Sequence, residues 1–266
     1  MKYSVPAWIT VILLFFSCEE QRHTESSPPT ANHTLLAVCW YQNSAEMQAL
    51  YYQAYNTAKW RLRKFLGQYP DSATSCAVVL DIDETVLNNS PLQAQLIVDN
   101  QQYTRDKWNE WVNMEQAHPL PGALDFVEYA DSMNVEVFYI SNRNIELLEP
   151  TINNLKKYRF PNADSAHIIL RAGDRSKKSR RKQVKEKYTI VLLIGDNLED
   201  FSEIFEHRSN DLGFSVVDEH SAQFGRKFIV LPNPMYGSWE YALYKKRVNP
   251  ESKTEKLKKS LKPLKQ

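Results

Sequence analysis

Residues 76–90, CAVVLDIDETVLNNS, constrain the fold more than any other part of the chain. Cys76 to Leu80 is short, wholly apolar and Val-rich, which predicts a strand buried on both faces, and such strands belong to parallel sheets covered by helices. Three acids follow within four residues, Asp81, Asp83 and Glu84. The C-terminal ends of parallel strands are where α/β sheets place their chemistry. Asp81 and Asp83 are two apart, so on extended backbone they share a side, and neighbouring carboxylates need a cation or a proton between them.

The remaining sequence alternates as such a sheet requires. The segments VEVFYIS, AHIIL, TIVLLIGD and KFIVLPN read as strands ending in polar residues, and GALDFVEYADSM, IELLEPTINNLKKY and LEDFSEIFEHR as helices between them. Upstream, LLAVCWYQNSAEMQALYYQAYNTAKWRLRKFL has apolar and aromatic residues at helical spacing, predicting one or two N-terminal helices whose Trp and Tyr side chains are core. The expected fold class is α/β, a three-layer Rossmann-like sandwich with a parallel central sheet. Residues 91–121 exceed the dozen or so that a crossover needs. With Tyr103, Trp108 and Trp111 among them, they are expected to form a small cap insertion over the strand ends.

The N-terminus, MKYSVPAWITVILLFFSC, places a lysine before an apolar stretch too short for a comfortable membrane span. Residues 1–17 therefore read as an export signal. Ser17 directly before Cys18 is similar to the bacterial lipobox, whose cysteine is lipid-modified and becomes the first mature residue; Phe15 and Phe16 stand where Leu and a small residue are usual. Residues 18–33 are polar and Pro-containing, as a flexible tether should be. A domain over 34–248 and a Lys-rich tail over 249–266, expected as a solvated helix, complete the organisation. Cys39 and Cys76 are expected as free buried thiols.

A chain of 266 residues, 42% hydrophobic and 24% charged, can bury a full core, and its formal charge of +1 exerts no global pull on nucleic acid. No nucleic-acid partner is therefore expected. The basic run holding Lys177, Lys178, Arg180 and Arg181 reads as a solvated helix face for all but one or two of them. His118, His167, His207 and His220 are scattered without metal-ligand spacing and read as structural or exposed.

In a parallel sheet the strand ends Asp81 with Asp83, Ser141 with Asn142 and Arg143, and Asp196 with Asp200 converge on one crevice. An oxygen-only, carboxylate-rich site favours Mg²⁺. Asp81 is suited to attack phosphorus, Asp83 to protonate the leaving alkoxide and later to deprotonate a water, and Ser141 with a lysine to hold the transferring oxygens.

The motifs DIDET, FYISNR, KKSR and GDNLEDF, in that order, resemble the four motifs of haloacid dehalogenase (HAD) superfamily phosphatases. YYQAYNTAKW, DETVLNNSP, PLPGALDF and FIVLPNPMYGSWE extend the resemblance, over residues 35–244, to the bacterial class C acid phosphatases, the outer-membrane lipoprotein 5′-nucleotidases. The resemblance implies an exported, Mg²⁺-dependent acid phosphatase of the bacterial cell envelope, anchored through Cys18. It would hydrolyse phosphomonoesters, nucleoside 5′-monophosphates among them, through an aspartyl phosphate. It implies Asp81 as nucleophile and metal ligand, Asp83 as acid/base with its backbone carbonyl on the metal, Asp196 as ligand, and Asp200 as ligand directly or through water. Ser141 and Asn142 would hold phosphate, with Lys177 if the Lys-x-x-Arg spacing to Arg180 is kept; Lys178 lies beside it. Trp108 and Tyr236, by default cap and core packing, match aromatics that clamp a base in this family. The alternative is a non-catalytic surface lipoprotein that captures a planar ligand such as a nucleotide or haem, against which the intact Asp81 and Asp83 argue.

Overall fold

The computed structural model describes residue 1 and residues 34–208, 211–244 and 250–264. The export signal, the tether and the lipidation at Cys18 fall on residues outside these. The apolar run is strand β1 (Cys76–Leu80), buried at every residue. It lies at the centre of a five-stranded sheet, between β4 (Glu136–Asn144) and β6 (Thr189–Gly195), with β5 (Ile168–Arg171) and β7 (Phe228–Val230) at the edges. Every pairing in that sheet is parallel. From β1 the chain builds outward through β4 and β5 on one side, then returns through β6 and β7 on the other. The switch point is therefore β1 itself, where open α/β sheets bind ligands. Leu80 pairs with Tyr139 in β4 and with Ile194 in β6, which brings Asp81, Ser141 and Asp196 to within a residue of the same level.

Alternation along β1 divides the core. Val78 and Leu80 face one apolar cluster with Tyr139 and Ile194, while Ala77 and Val79 face the other with Phe138, Ile140 and Phe205. Helix α1 (Leu35–Asn43) leads into α2 (Ala45–Gln68), capped by the Ser44 hydroxyl accepting from the Met47 N–H. α2 buries Met47, Tyr51, Tyr55, Ala58, Leu62 and Leu66, a stripe at steps of three and four. Its phenols also fix the loop after β1: Tyr51 donates to the Glu84 carbonyl at 2.5 Å and Tyr55 to the Thr85 carbonyl at 2.7 Å. Burial holds both phenols far above their ordinary pKa, so they stay donors.

Beyond that loop, β2 (Leu87–Asn88) pairs antiparallel with β3 (His118–Pro119). Between them stand α3 (Ser90–Val98) and α4 (Arg105–Asn113), the segment expected as a cap. Trp111 ties α4 down by donating from Nε1 to Asn89 Oδ1 at 2.8 Å. The other helices are α5 (Ala123–Ser132), α6 (Leu148–Lys157), α7 (Lys178–Lys185), α8 (Phe214–Glu219), α9 (Ser238–Tyr244) and α10 (Pro250–Ser260).

Three expectations change. LEDFSEIFEHR is not a helix but two 3₁₀ turns, Leu198–Asp200 and Glu203–Phe205, because Ser202 between them is extended (φ −160°, ψ 151°) and caps Ile204 with its hydroxyl. Cys76 is buried as expected, whereas Cys39 is exposed, on the outer side of α1. In the basic run Lys177, Arg180 and Arg181 are all buried, leaving Lys178 outside. The tail is helical at α10, and its Lys253 pairs with Glu240 of α9.

Candidate active site

Asp81 continues the line of β1, its N–H donating to the Ile194 carbonyl at 2.9 Å, so its carboxylate emerges at the switch point. Oxygens of Asp81, Asp196 and Asp200 all lie within 4.8 Å of one another. The cation among them is Lys177, whose Nζ contacts Asp81 Oδ1 and lies 2.7 Å from Asp200 Oδ1. Burial pushes the Asp81 carboxyl up to about 7, opposed by Lys177 and reinforced by Asp200 and Asp83. Asp196 is raised well above the carboxylate range, by burial and then by Asp200 and Asp81, while a 2.8 Å hydrogen bond from Asn233 Nδ2 opposes the rise. Burial works against the charge of Lys177, but Asp200 and Asp81 hold its pKa above the ordinary value. Three carboxylates around one ammonium leave an excess of negative charge on hard oxygen donors, and that set fits a divalent cation such as Mg²⁺.

Local structure makes the cluster possible. Asn197 and Asp200 form a reciprocal cap, Asp200 Oδ2 accepting from the Asn197 N–H at 3.0 Å, which turns the Asp200 carboxylate back toward β6. It packs so closely that a Cβ on Gly195 would lie 2.6 Å from Asp200 Cβ. Only glycine leaves room there.

Asp83 sits in different surroundings. Arg143 grips it from Nη2 at 2.8 Å and Nε at 3.0 Å, Ser141 Oγ donates to it at 3.2 Å, and Asn89 Nδ2 at 3.0 Å. The remaining Arg143 nitrogen donates to Thr151 Oγ1 at 3.1 Å, so the guanidinium is anchored on both sides. Behind it, Arg180 donates to the Ser141 carbonyl at 2.5 Å and to Asn142 Oδ1 at 2.7 Å. With Oδ1 so engaged, Asn142 keeps its Nδ2 donors for a ligand.

These groups line one cleft of about 810 Å³, which also takes in Trp108 from α4 and Tyr236 after β7. The residues singled out at the strand ends meet there with Tyr103 and Trp108 of the cap, whereas Trp111 does not line the cleft and instead holds Asn89. Lys177 rather than Lys178 reaches the acids: the Lys177 side chain is 4% exposed, while that of Lys178 is 67% exposed and pairs with Glu203 at 3.1 Å. Sequence reasoning brought Arg143 to the crevice and used Arg180 for spacing, but it missed their supporting roles and missed Asn89 and Asn233 altogether. For Arg143 a signal exists, since it lies two residues beyond Ser141 on a strand and so shares its side, as Asp83 does with Asp81. Among the described residues, His118, His167, His207 and His220 do not line the cleft; His167, for instance, bridges Glu136 and Asp164.

A parallel sheet with four aspartates gathered at its switch point has the architecture of the HAD superfamily, and comparison with solved structures agrees. The class C acid phosphatase from Bacillus anthracis is 40% identical, with a TM-score of 0.84 over 89% of this chain and 100% of that one. The same enzyme with tungstate bound is 41% identical, with a TM-score of 0.82 over 89% and 99%. A family model described as HAD superfamily, subfamily IIIB (acid phosphatase) matches residues 17–239, and the chain belongs to that family of phosphomonoesterases. Among curated proteins, the stem 31 kDa and 28 kDa glycoproteins of Glycine max are 27% identical over 164 residues and 26% over 167. Each match takes in 59% of this chain and spans 58% of the relative's length.

Proposed function

We propose that this protein is a metal-dependent phosphomonoesterase that works through a phosphorylated Asp81, with nucleoside 5′-monophosphates as substrates. The observation that carries this reading is the meeting of Asp81, Asp196, Asp200 and Lys177 at the end of β1, with Asp83 held separately by Arg143. Tungstate is a tetrahedral oxyanion like phosphate, and its binding to the Bacillus anthracis enzyme supports oxyanion binding in this family.

Asp81, Asp196 and Asp200, with the Asp83 backbone carbonyl, would hold Mg²⁺. A divalent cation bound there supplies charge that offsets the carboxylates and polarises phosphate oxygens. An Asp81 oxygen bonds to phosphorus as the ester oxygen leaves. Asp83 gives that oxygen its proton, then takes one from the water that cleaves the Asp81–phosphate bond. Lys177, the Ser141 hydroxyl and Asn142 Nδ2 hold the equatorial oxygens. Trp108 and Tyr236 line the same cleft and would take a base. Cys18, lipid-modified, would tether the enzyme to the bacterial envelope, at the outer membrane.

An assay of the metal-free protein against a panel of phosphomonoesters tests the core of this. Turnover should return with Mg²⁺ and vanish with EDTA, and nucleoside 5′-monophosphates should have the highest kcat/KM. Metal-independent turnover would refute the metal assignment, and binding of a nucleotide without release of phosphate would favour the non-catalytic alternative.

A further inference from the structure

The buried arginines around the site are fully employed. Arg143 holds Asp83 and Thr151, Arg180 holds Ser141 and Asn142, and Arg181 donates to the carbonyls of Glu199 and Asp200. Three further arginines line the same cleft: Arg105, Arg171 and Arg175. Among the described residues none of these three has a carboxylate within ion-pair distance. Arg105 and Arg175 are exposed and Arg171 is half-buried, so their forks, whose shape matches carboxylate or phosphate, are open to a ligand in the cleft.

Their placement is not diffuse. Arg171 closes β5, and Arg175 lies two residues before Lys177, its carbonyl held by Arg180 Nη2 at 3.1 Å. Arg105 opens α4 three residues before Trp108, so the two share a helix face. Tyr103 packs on Trp108 with ring centroids 6.4 Å apart, and both rings line the cleft with Arg105 and Arg175. Charge is therefore segregated along the cleft. The catalytic end has four aspartates against Lys177 and Arg143, whereas the wall with Arg105, Arg171 and Arg175, here the outer wall, offers these arginines no carboxylate partner among the described residues. Of the other acids lining the cleft, Glu240 is taken by Lys253 and Tyr244, which leaves Glu199.

We infer that this outer wall is a second anion subsite, which takes a phosphate group of the substrate remote from the one presented to Asp81, as in a nucleoside 3′,5′-bisphosphate. The inference rests on the phosphomonoesterase reading and narrows it. Phosphate suits the site because several guanidinium forks can bind one tetrahedral group bidentately. A cleft of about 810 Å³ has room for more than a single phosphoryl group. With Arg105 one turn from Trp108, a base against that ring would carry its ribose phosphate toward the arginines.

Long-range steering would also favour a more highly charged ester, so charge-conserving variants are decisive. The measurement is kcat/KM for adenosine 3′,5′-bisphosphate and for adenosine 5′-monophosphate, in the wild type and in Arg105→Lys, Arg171→Lys and Arg175→Lys. The wild-type ratio should exceed one and fall about tenfold in Arg105→Lys and in Arg175→Lys, the order expected when a charge-assisted bidentate contact is lost. A wild-type ratio of one or less overturns the subsite, and so does a ratio that survives all three lysine variants, since steering alone would then explain it. Wild-type turnover of 4-nitrophenyl phosphate separates the two levels: its absence overturns the phosphatase reading with the subsite, while its presence beside a ratio of one overturns the subsite alone.

Discussion

Asp81 and Asp83 are two residues apart and chemically unlike, because each has different neighbours. Asp81 shares Lys177 with Asp200 and lies against Asp196, whereas Asp83 accepts from Arg143, Ser141 and Asn89. If Asp81 is the nucleophile, as proposed, Asp81→Asn keeps the shape and removes it, so kcat should fall by at least about a thousandfold. A folded variant, verified by circular dichroism, that retained substantial turnover would rule out the covalent route. Asp83→Asn would remove the proposed proton donor instead. Its deficit should be largest for alkyl phosphates and smallest for 4-nitrophenyl phosphate, whose leaving group needs no proton. Equal losses across leaving groups would show that Asp83 only supports the site.

At the scale of elements, the site depends on the registers of three strands, which set Asp81, Ser141 and Asp196 nearly level, and on one turn folding back. The turn after β6 is the tighter constraint, because Asp200 reaches the cluster by packing on the bare backbone of Gly195. Gly195→Ala forces that contact apart; it should lower stability by about 1–3 kcal/mol, and it should reduce metal-dependent activity by displacing Asp200. Thermal denaturation together with Mg²⁺ titration of activity would check both, and a variant with unaltered metal dependence would show that the turn can give way. The cap contributes through α4. If Trp108 and Tyr236 enclose a base, alanine at either should raise KM for nucleoside monophosphates, each contact being worth about 1–3 kcal/mol. kcat should change little, since the rings lie away from phosphorus. Glycerol phosphate, which has no planar group, is the control; an equal rise in its KM would reduce both rings to scaffolding.

For the whole molecule, the lipid anchor is the expectation that reaches beyond the folded domain. Fatty-acid labelling in a bacterial host should mark the wild-type chain and not Cys18→Ser, and a wild-type chain released without label would end the anchor reading while leaving the site chemistry intact. Much of the domain was legible without coordinates. An apolar run buried on both faces, a period-two or helical stripe, and acids at strand ends are properties of a few adjacent residues, so β1, the α2 stripe and the positions of Asp81, Asp83, Ser141 and Asp196 could be read along the chain. Neighbours distant in sequence decided the rest. Lys177 and Lys178 are adjacent and chemically identical, yet one is buried among acids and the other is solvated, because Lys177 stands just before α7 facing β1 and β6 while Lys178 begins the outer side of that helix. Arg143 meets Asp83 across sixty positions of sequence, and Ser202 breaks a helical pattern by capping a turn. Local pattern thus determined which strands form and where the acids stand. Which cation neutralises which acid was left to the tertiary structure, because burial and pairing of charge depend on side chains that only the folded sheet brings together.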